Sequence, residues 1–342
     1  MFGKMMNRYY YGKSGKGDYT TEDLPQTRWA LFWEMLRVRF SALFRLNLIY
    51  MVAWLPAIIV IGRGLMMAYT GLVNVGELQV QAEAGEIAME VFAEANATLG
   101  EALKAILMQS LILLVPAIAI TGPFTAGISY VTRNWARDEH AFLWSDCKDA
   151  MKANWKGSLV LSGITAIIPF VVYMCWNFYG QATEGMAMGI LMQLGQIIPV
   201  MVALIWYMAV TYAYPMLVTY EMSIVTVIRN SLILAVGRLP LSFGMRLLHC
   251  VPAVLTAAGL LLFNSVWVPL ILLVYYVLFG FALSRFITAS YTNAQFDKYI
   301  NSRIEGAQVN RGLAEEDDED YGEEAEEEER ELKPWENGYA DR

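Results

Sequence analysis

Leu46–Met66 reads LNLIYMVAWLPAIIVIGRGLM, a run of apolar residues broken by one charge, Arg63. A membrane-crossing helix needs about 20 mainly apolar residues, because each adds about 1.5 Å against a hydrocarbon core of about 30 Å. This run meets that length. Five further windows share its character: 103–126, 157–178, 187–212, 243–264 and 267–286. The last two are separated only by the stretch Asn264–Trp267, yet each arm is long enough to cross. The reading is all-α: a polytopic membrane helical bundle of six transmembrane helices, with the lipid bilayer as its principal partner.

Composition agrees. Hydrophobic residues make up 56% of the 342, and the mean hydropathy is +0.38. Soluble domains sit near roughly 45–50% apolar. The net charge of -8 belongs to the end of the chain, where residues 314–342 hold 15 acidic residues against 3 basic ones. The remainder is mildly basic. The stretch Glu315–Glu331 repels itself and has little to bury, so it is expected to be disordered. The first 20 residues are polar and lack the apolar core of a cleavable signal, so the first membrane helix is expected to direct targeting. Three parts follow: a polar N-terminus (1–27), a six-helix membrane domain (28–295) and a tail with the acidic stretch (296–342).

Lys and Arg set the orientation. Twenty of them fall before the first span, between the second and third, between the fourth and fifth, after the sixth or, as Arg246 and Arg285 do, just inside the span end that adjoins these segments. The opposite side has Arg63 and Lys104, both at helix ends. Both termini are therefore expected in the cytoplasm. The first outer loop, roughly 67–102, is rich in Ala and Glu and is expected to extend its flanking helices outward.

Amphipathic stretches precede the odd-numbered spans: Trp29–Arg45, Phe142–Lys156 and Ile224–Gly237. Each leads to a proline, Pro56, Pro169 or Pro252, after a similar interval. The pattern predicts a three-fold repeat of helix-hairpin units with amphipathic cytoplasmic helices lying at the interface. Pro116 and Pro199 bring mid-span prolines to five of six helices. Kinked helices line cavities in transporters, and Gln109, Gln193 and Gln196 are the polar residues placed to line one here.

Chemical signatures are sparse. Cys147, Cys175 and Cys250 are widely spaced and there are only two histidines, so neither a zinc site nor a disulfide framework is expected. Neither a phosphate-binding GxxxxGK[ST] loop nor HExxH nor GxSxG occurs. The expectation is a protein that is not an enzyme, has no cofactor and binds no nucleic acid.

The densest motif is Thr121–Ser158, TGPFTAGISYVTRNWARDEHAFLWSDCKDAMKANWKGS. Gly122, Pro123 and Thr125 are expected to close the second membrane helix. Arg133 lies in a polar turn. Phe142, Trp144 and Asp146 follow, and Asn154 and Trp155 lead into the third helix. This block resembles the YesL family of bacterial membrane proteins, as do Leu46-Asn47-Leu48 and Leu239-Pro240. The resemblance implies a multi-pass protein of the bacterial cell membrane, often encoded beside carbohydrate uptake transporters of the ATP-driven class. It implies a non-enzymatic accessory component contacting carbohydrate transporter subunits, and it implies no catalytic residue. A channel or transporter with a proline-kinked substrate cavity is the alternative.

Overall fold

The computed structural model describes residues 25–181, 189–263, 265 and 267–314. The acidic stretch Glu315–Glu331 lies outside the described residues, as do residues 1–24. Among the described residues every regular element is a helix. They are α1 (Arg28–Glu83), α2 (Met89–Ala119), α3 (Thr121–Trp135), α4 (Ser145–Gln181), α5 (Gly189–Thr219), α6 (Ile224–Gly237), α7 (Leu239–Phe263), α8 (Trp267–Tyr275) and α9 (Phe281–Tyr299). A π-helical turn, Tyr276–Gly280, joins α8 to α9, and a short 3-10 turn, Asn301–Arg303, follows α9. Six helices are long and apolar enough to cross a membrane: α1, α2, α4, α5, α7 and the α8–α9 rod. This is the layout of a multi-pass membrane protein.

Two of the three amphipathic stretches are not separate helices. Trp29–Arg45 forms the first turns of α1, and Phe142–Lys156 runs from a short turn into the start of α4. Thr27 caps α1 by accepting from the Ala30 amide at 3.2 Å, and no proline or glycine interrupts the chain before Pro56. Ile224–Gly237 does stand alone as α6. The break falls at Arg238, which sits at φ -122, ψ 37, outside helical geometry, and Pro240, whose missing N–H costs nothing in a first turn, stands at the start of α7.

The segment 67–102, expected as the first outer loop, is a helical hairpin. α1 continues to Glu83 and ends on Gly85, whose φ is +75. The Glu86 amide donates to the Gln81 carbonyl and the Gly85 amide to that of Ala82, so two otherwise orphaned carbonyls are satisfied.

The block Gly122, Pro123 and Thr125 does not close the second membrane helix; it opens α3. The chain turns at Ile120, and Thr121 Oγ1 donates to the Ile118 carbonyl at 2.8 Å. Pro123 has no N–H to give the Ala119 carbonyl four residues back. That carbonyl accepts from Ser162 Oγ of α4 instead, at 2.6 Å. A Cβ at Gly122 would collide with the Ser158 carbonyl and Ser162 Oγ, and one at Gly127 with Cys147. α3 and α4 therefore cross almost backbone to backbone.

α3 is the hub. Eleven of its fifteen residues are buried, and it packs on α1, α2, α4, α5 and α9. One core cluster joins α1, α3, the start of α4 and α9 through Tyr50, Ile128, Trp135 and Phe286. A second joins α4, α5, α6 and α9 through Leu161, Tyr212, Met216 and Phe296. Both lie toward the end of the bundle where Ala314 donates to the Pro25 carbonyl at 3.2 Å. We call this end basal. Toward the other end the helices present apolar side chains outward: α2 buries only Ala117, and α8 buries none. Such a surface suits lipid.

Candidate functional site

The three glutamines placed to line a cavity are not brought together. Gln109 on α2 accepts from Arg63 Nη2 at 2.6 Å on an exposed face. Gln193 is exposed on α5, and Gln196 donates to the Trp176 carbonyl at 3.1 Å. α4 packs against both α2 and α5 and separates their polar faces.

The other motif residues build the basal end. Asp146, in the first turn of α4, reaches back to accept from the Phe142 amide at 2.8 Å, which fixes the preceding turn. Phe142, Trp144 and Trp155 are left outside at 66%, 58% and 50% exposure. Lys156 lies over the Trp155 ring, 5.6 Å from its centroid. Asn154 donates within its own helix to the Ala150 carbonyl. A groove of about 670 Å³ runs beside them, lined by Tyr130, Asp146, Asp149, Asn154, Tyr220 and Glu221 among others. Arg133 donates from Nη1 to Asn134 Oδ1 at 3.2 Å, and its carbonyl accepts from Asn293. Burial, then the neighbouring Arg137, lower its pKa from the ordinary guanidinium value.

Thr125 leads elsewhere. Its hydroxyl proton goes to the Thr121 carbonyl at 2.8 Å, so the Tyr50 hydroxyl must be the donor in the 2.8 Å contact with Thr125 Oγ1. That bond holds Tyr50 of α1 at the edge of a cavity of about 220 Å³. Trp54, Pro252, Tyr276 and Phe281 add apolar wall, and His249, Ser284 and Arg285 add polar groups. The π turn shapes this cavity. A π turn leaves its backbone groups poorly paired, and such turns often mark functional positions. Here Asn47, fully buried, donates from Nδ2 to the Tyr276 and Val277 carbonyls at 2.8 Å each. Its Oδ1 accepts from the Ala282 amide at 2.9 Å. Gly280 is needed because a Cβ there would meet the rings of Tyr275 and Tyr276.

His249 ties α7 to α9. Nδ1 sits 2.5 Å from the Met245 carbonyl, and Nε2 lies 3.1 Å from the Ser284 carbonyl and 3.2 Å from Thr288 Oγ1. Both ring nitrogens face acceptors, because the Thr288 hydroxyl gives its proton to the Ser284 carbonyl at 2.8 Å, so a neutral ring donates to one of these carbonyls and leaves the other contact unmade. The permanent charge at the site belongs to Arg246 and Arg285. These residues were counted from sequence only as topological charges, although both fall inside the windows 243–264 and 267–286. They lie within α7 and α9, and His249, three residues beyond Arg246, reaches the Ser284 carbonyl beside Arg285. The Arg285 guanidinium lies 5.8 Å from the Tyr50 ring and 5.7 Å from the Tyr214 ring. Sequence carried a faint signal: neither arginine has an acidic residue three or four positions away, and Arg246 shares a helix face with His249.

At the basal surface a polar network joins the two ends of the described chain. Asp297, 4% exposed, accepts from Arg28 Nη2, from Asn301 Nδ2 at 2.6 Å and from the Asn310 amide at 3.2 Å. Tyr220 donates to Asn301 Oδ1 at 2.7 Å. Burial first, and the Asp297 carboxylate second, push the Tyr220 phenol up to about 12, so it remains a donor at neutral pH. Glu139 pairs with Arg137 and Arg311, each at 3.2 Å. Among the described residues no group of three His, Cys, Asp or Glu is placed to hold a metal ion.

The model of a family described as a protein of unknown function, DUF624, matches residues 102–176. The match covers less than a quarter of the chain. It includes the α3–α4 crossing and every motif residue from Gly122 to Trp155, and it stops short of Arg246 and Arg285. No curated protein and no solved structure matches the chain. The similarity to this uncharacterised family is therefore confined to α4 up to Trp176, all of α3 and most of α2.

Proposed function

We propose that this chain is a non-enzymatic accessory protein of the bacterial cell membrane that contacts subunits of an ATP-driven carbohydrate uptake system. Its basal end and both termini would face the cytoplasm. The observation that carries this reading is the basal platform. Phe142 and Trp144 stand exposed on a turn that Asp146 holds, and Trp155 on the following helix α4, which the α3–α4 crossing supports, beside the large polar groove. Rigid exposed aromatics beside a polar rim are what a partner subunit grips. The Lys/Arg distribution supports the orientation. The resemblance of Thr121–Ser158 to the YesL family supports the link to carbohydrate uptake and the family name.

The test is affinity purification of the tagged protein in mild detergent, with partners identified by mass spectrometry. A transporter permease or its ATPase should be recovered in stoichiometric amount, and Phe142→Ala/Trp144→Ala should abolish that recovery. Recovery of the protein alone would reject the reading. A transporter is the second reading, favoured by the cavity that Pro252 and the π turn enclose. Sugar flux into vesicles reconstituted with this protein alone would establish it.

A further inference from the structure

We propose that Arg246 and Arg285 form a binding site for a phosphate-type oxyanion, set between α1, α5, α7 and α9. A guanidinium has five N–H donors and accepts nothing. Among the described residues neither arginine donates to any side chain or carbonyl, although both are partly enclosed and Arg246 Nε is fully shielded. No carboxylate approaches either one in the described structure. Enclosed charge is tolerated when it is paired; here His249, three residues beyond Arg246 on α7, reaches the carbonyl of Ser284 beside Arg285, so two unpaired guanidiniums flank one α7–α9 contact.

The surroundings fit an anion. The ring faces of Tyr50 and Tyr214 support the Arg285 cation without neutralising it. Trp54 Nε1 adds a second shielded N–H without an acceptor, on the wall of the cavity that Arg285 lines. That cavity, about 220 Å³, has room for several groups the size of a water molecule. A phosphate brings one to two negative charges and several acceptor oxygens, and guanidinium forks pair with it two bonds at a time. Arg246 lies eight residues beyond Arg238, about 12 Å along α7 from its basal start. Both a lipid headgroup and a small soluble phosphate supply this chemistry at that depth.

The full chain, purified in an uncharged, phosphate-free maltoside detergent, separates the two sources. One arm titrates inorganic phosphate against chloride at constant ionic strength. The other titrates phosphatidylglycerol. The melting temperature of the wild type should rise in at least one arm. A rise with lipid alone assigns a headgroup, and a rise with phosphate assigns a soluble oxyanion. Arg285→Lys keeps the charge but loses the fork, and should need about tenfold more ligand for the half-maximal effect. Arg246→Gln/Arg285→Gln should show no ligand effect; if it does not fold, Arg285→Lys decides alone. No stabilisation of the wild type in either arm, or variants that respond as the wild type does, would overturn the proposal.

Discussion

Asn47 is one polar side chain inside the long apolar run that opens the membrane domain, and it serves three backbone groups at once. The two carbonyls and the amide it satisfies belong to a turn about 230 residues further along the chain. Leucine has nearly the same size and would leave all three without a partner in a site closed to water. Each unsatisfied buried group costs about 1–3 kcal/mol. Asn47→Leu should therefore lower stability by about 3 kcal/mol or more, read as a lower unfolding midpoint in maltoside micelles. An unchanged midpoint would show that the π turn satisfies itself. The sequence displays Asn47 as an oddity, but the π turn is not legible there: Tyr276–Gly280 reads as ordinary apolar helix. Arg246 and Arg285 were hidden for a related reason. A basic residue near a helix end looks the same whether it marks topology or lines a site, and only the neighbours supplied by other helices distinguish the two.

Among the elements, the long spans were legible and α3 was not. Sustained apolar runs declare themselves, because about 20 residues without charge have few other solutions. α3 is built from Thr, Gly, Ser and Ala with few large apolar residues, and its sequence reads as a helix end followed by a polar turn. Its helicity depends on burial among five neighbours more than on intrinsic propensity. The glycines test this directly. Gly122 lies where a Cβ would strike the backbone of α4, whereas nothing lies within 4 Å of a Cβ built at Gly163. Gly122→Ala should destabilise by about 1–3 kcal/mol through overpacking. Gly163→Ala should stabilise by up to about 1 kcal/mol through helix propensity. Thermal melts of the two variants beside the wild type check both signs. Equal effects at the two positions would mean that the close crossing of α3 and α4 does not form.

At the scale of the whole molecule, the bundle is closed at one end. The halves of the helices far from the base bury little of themselves, so lipid must supply most of their surroundings, while the basal half carries both core clusters and the polar network. Asp297 is the centre of that network, because it holds Arg28 from the start of α1 and Asn310 from the segment after α9. Asp297→Ala leaves Arg28 without its carboxylate and two donors without an acceptor. Breaking a buried pair costs about 3–5 kcal/mol, and the partial exposure of Arg28, 27% of its side chain, places this case near about 3 kcal/mol. The loss should be local first. Residues 304–314 are held by Asp297, by the Glu139–Arg311 pair and by Leu313 packed on the core. Without Asp297 the segment should lift, opening Arg303 and Arg311 to trypsin before the membrane helices unfold. Glu139→Ala removes only one of these ties and should accelerate cleavage less. Limited proteolysis of the purified chain, followed by mass spectrometry, reads both rates, and equal rates in wild type and Asp297→Ala would show that the segment is held by its apolar contact rather than by the carboxylate.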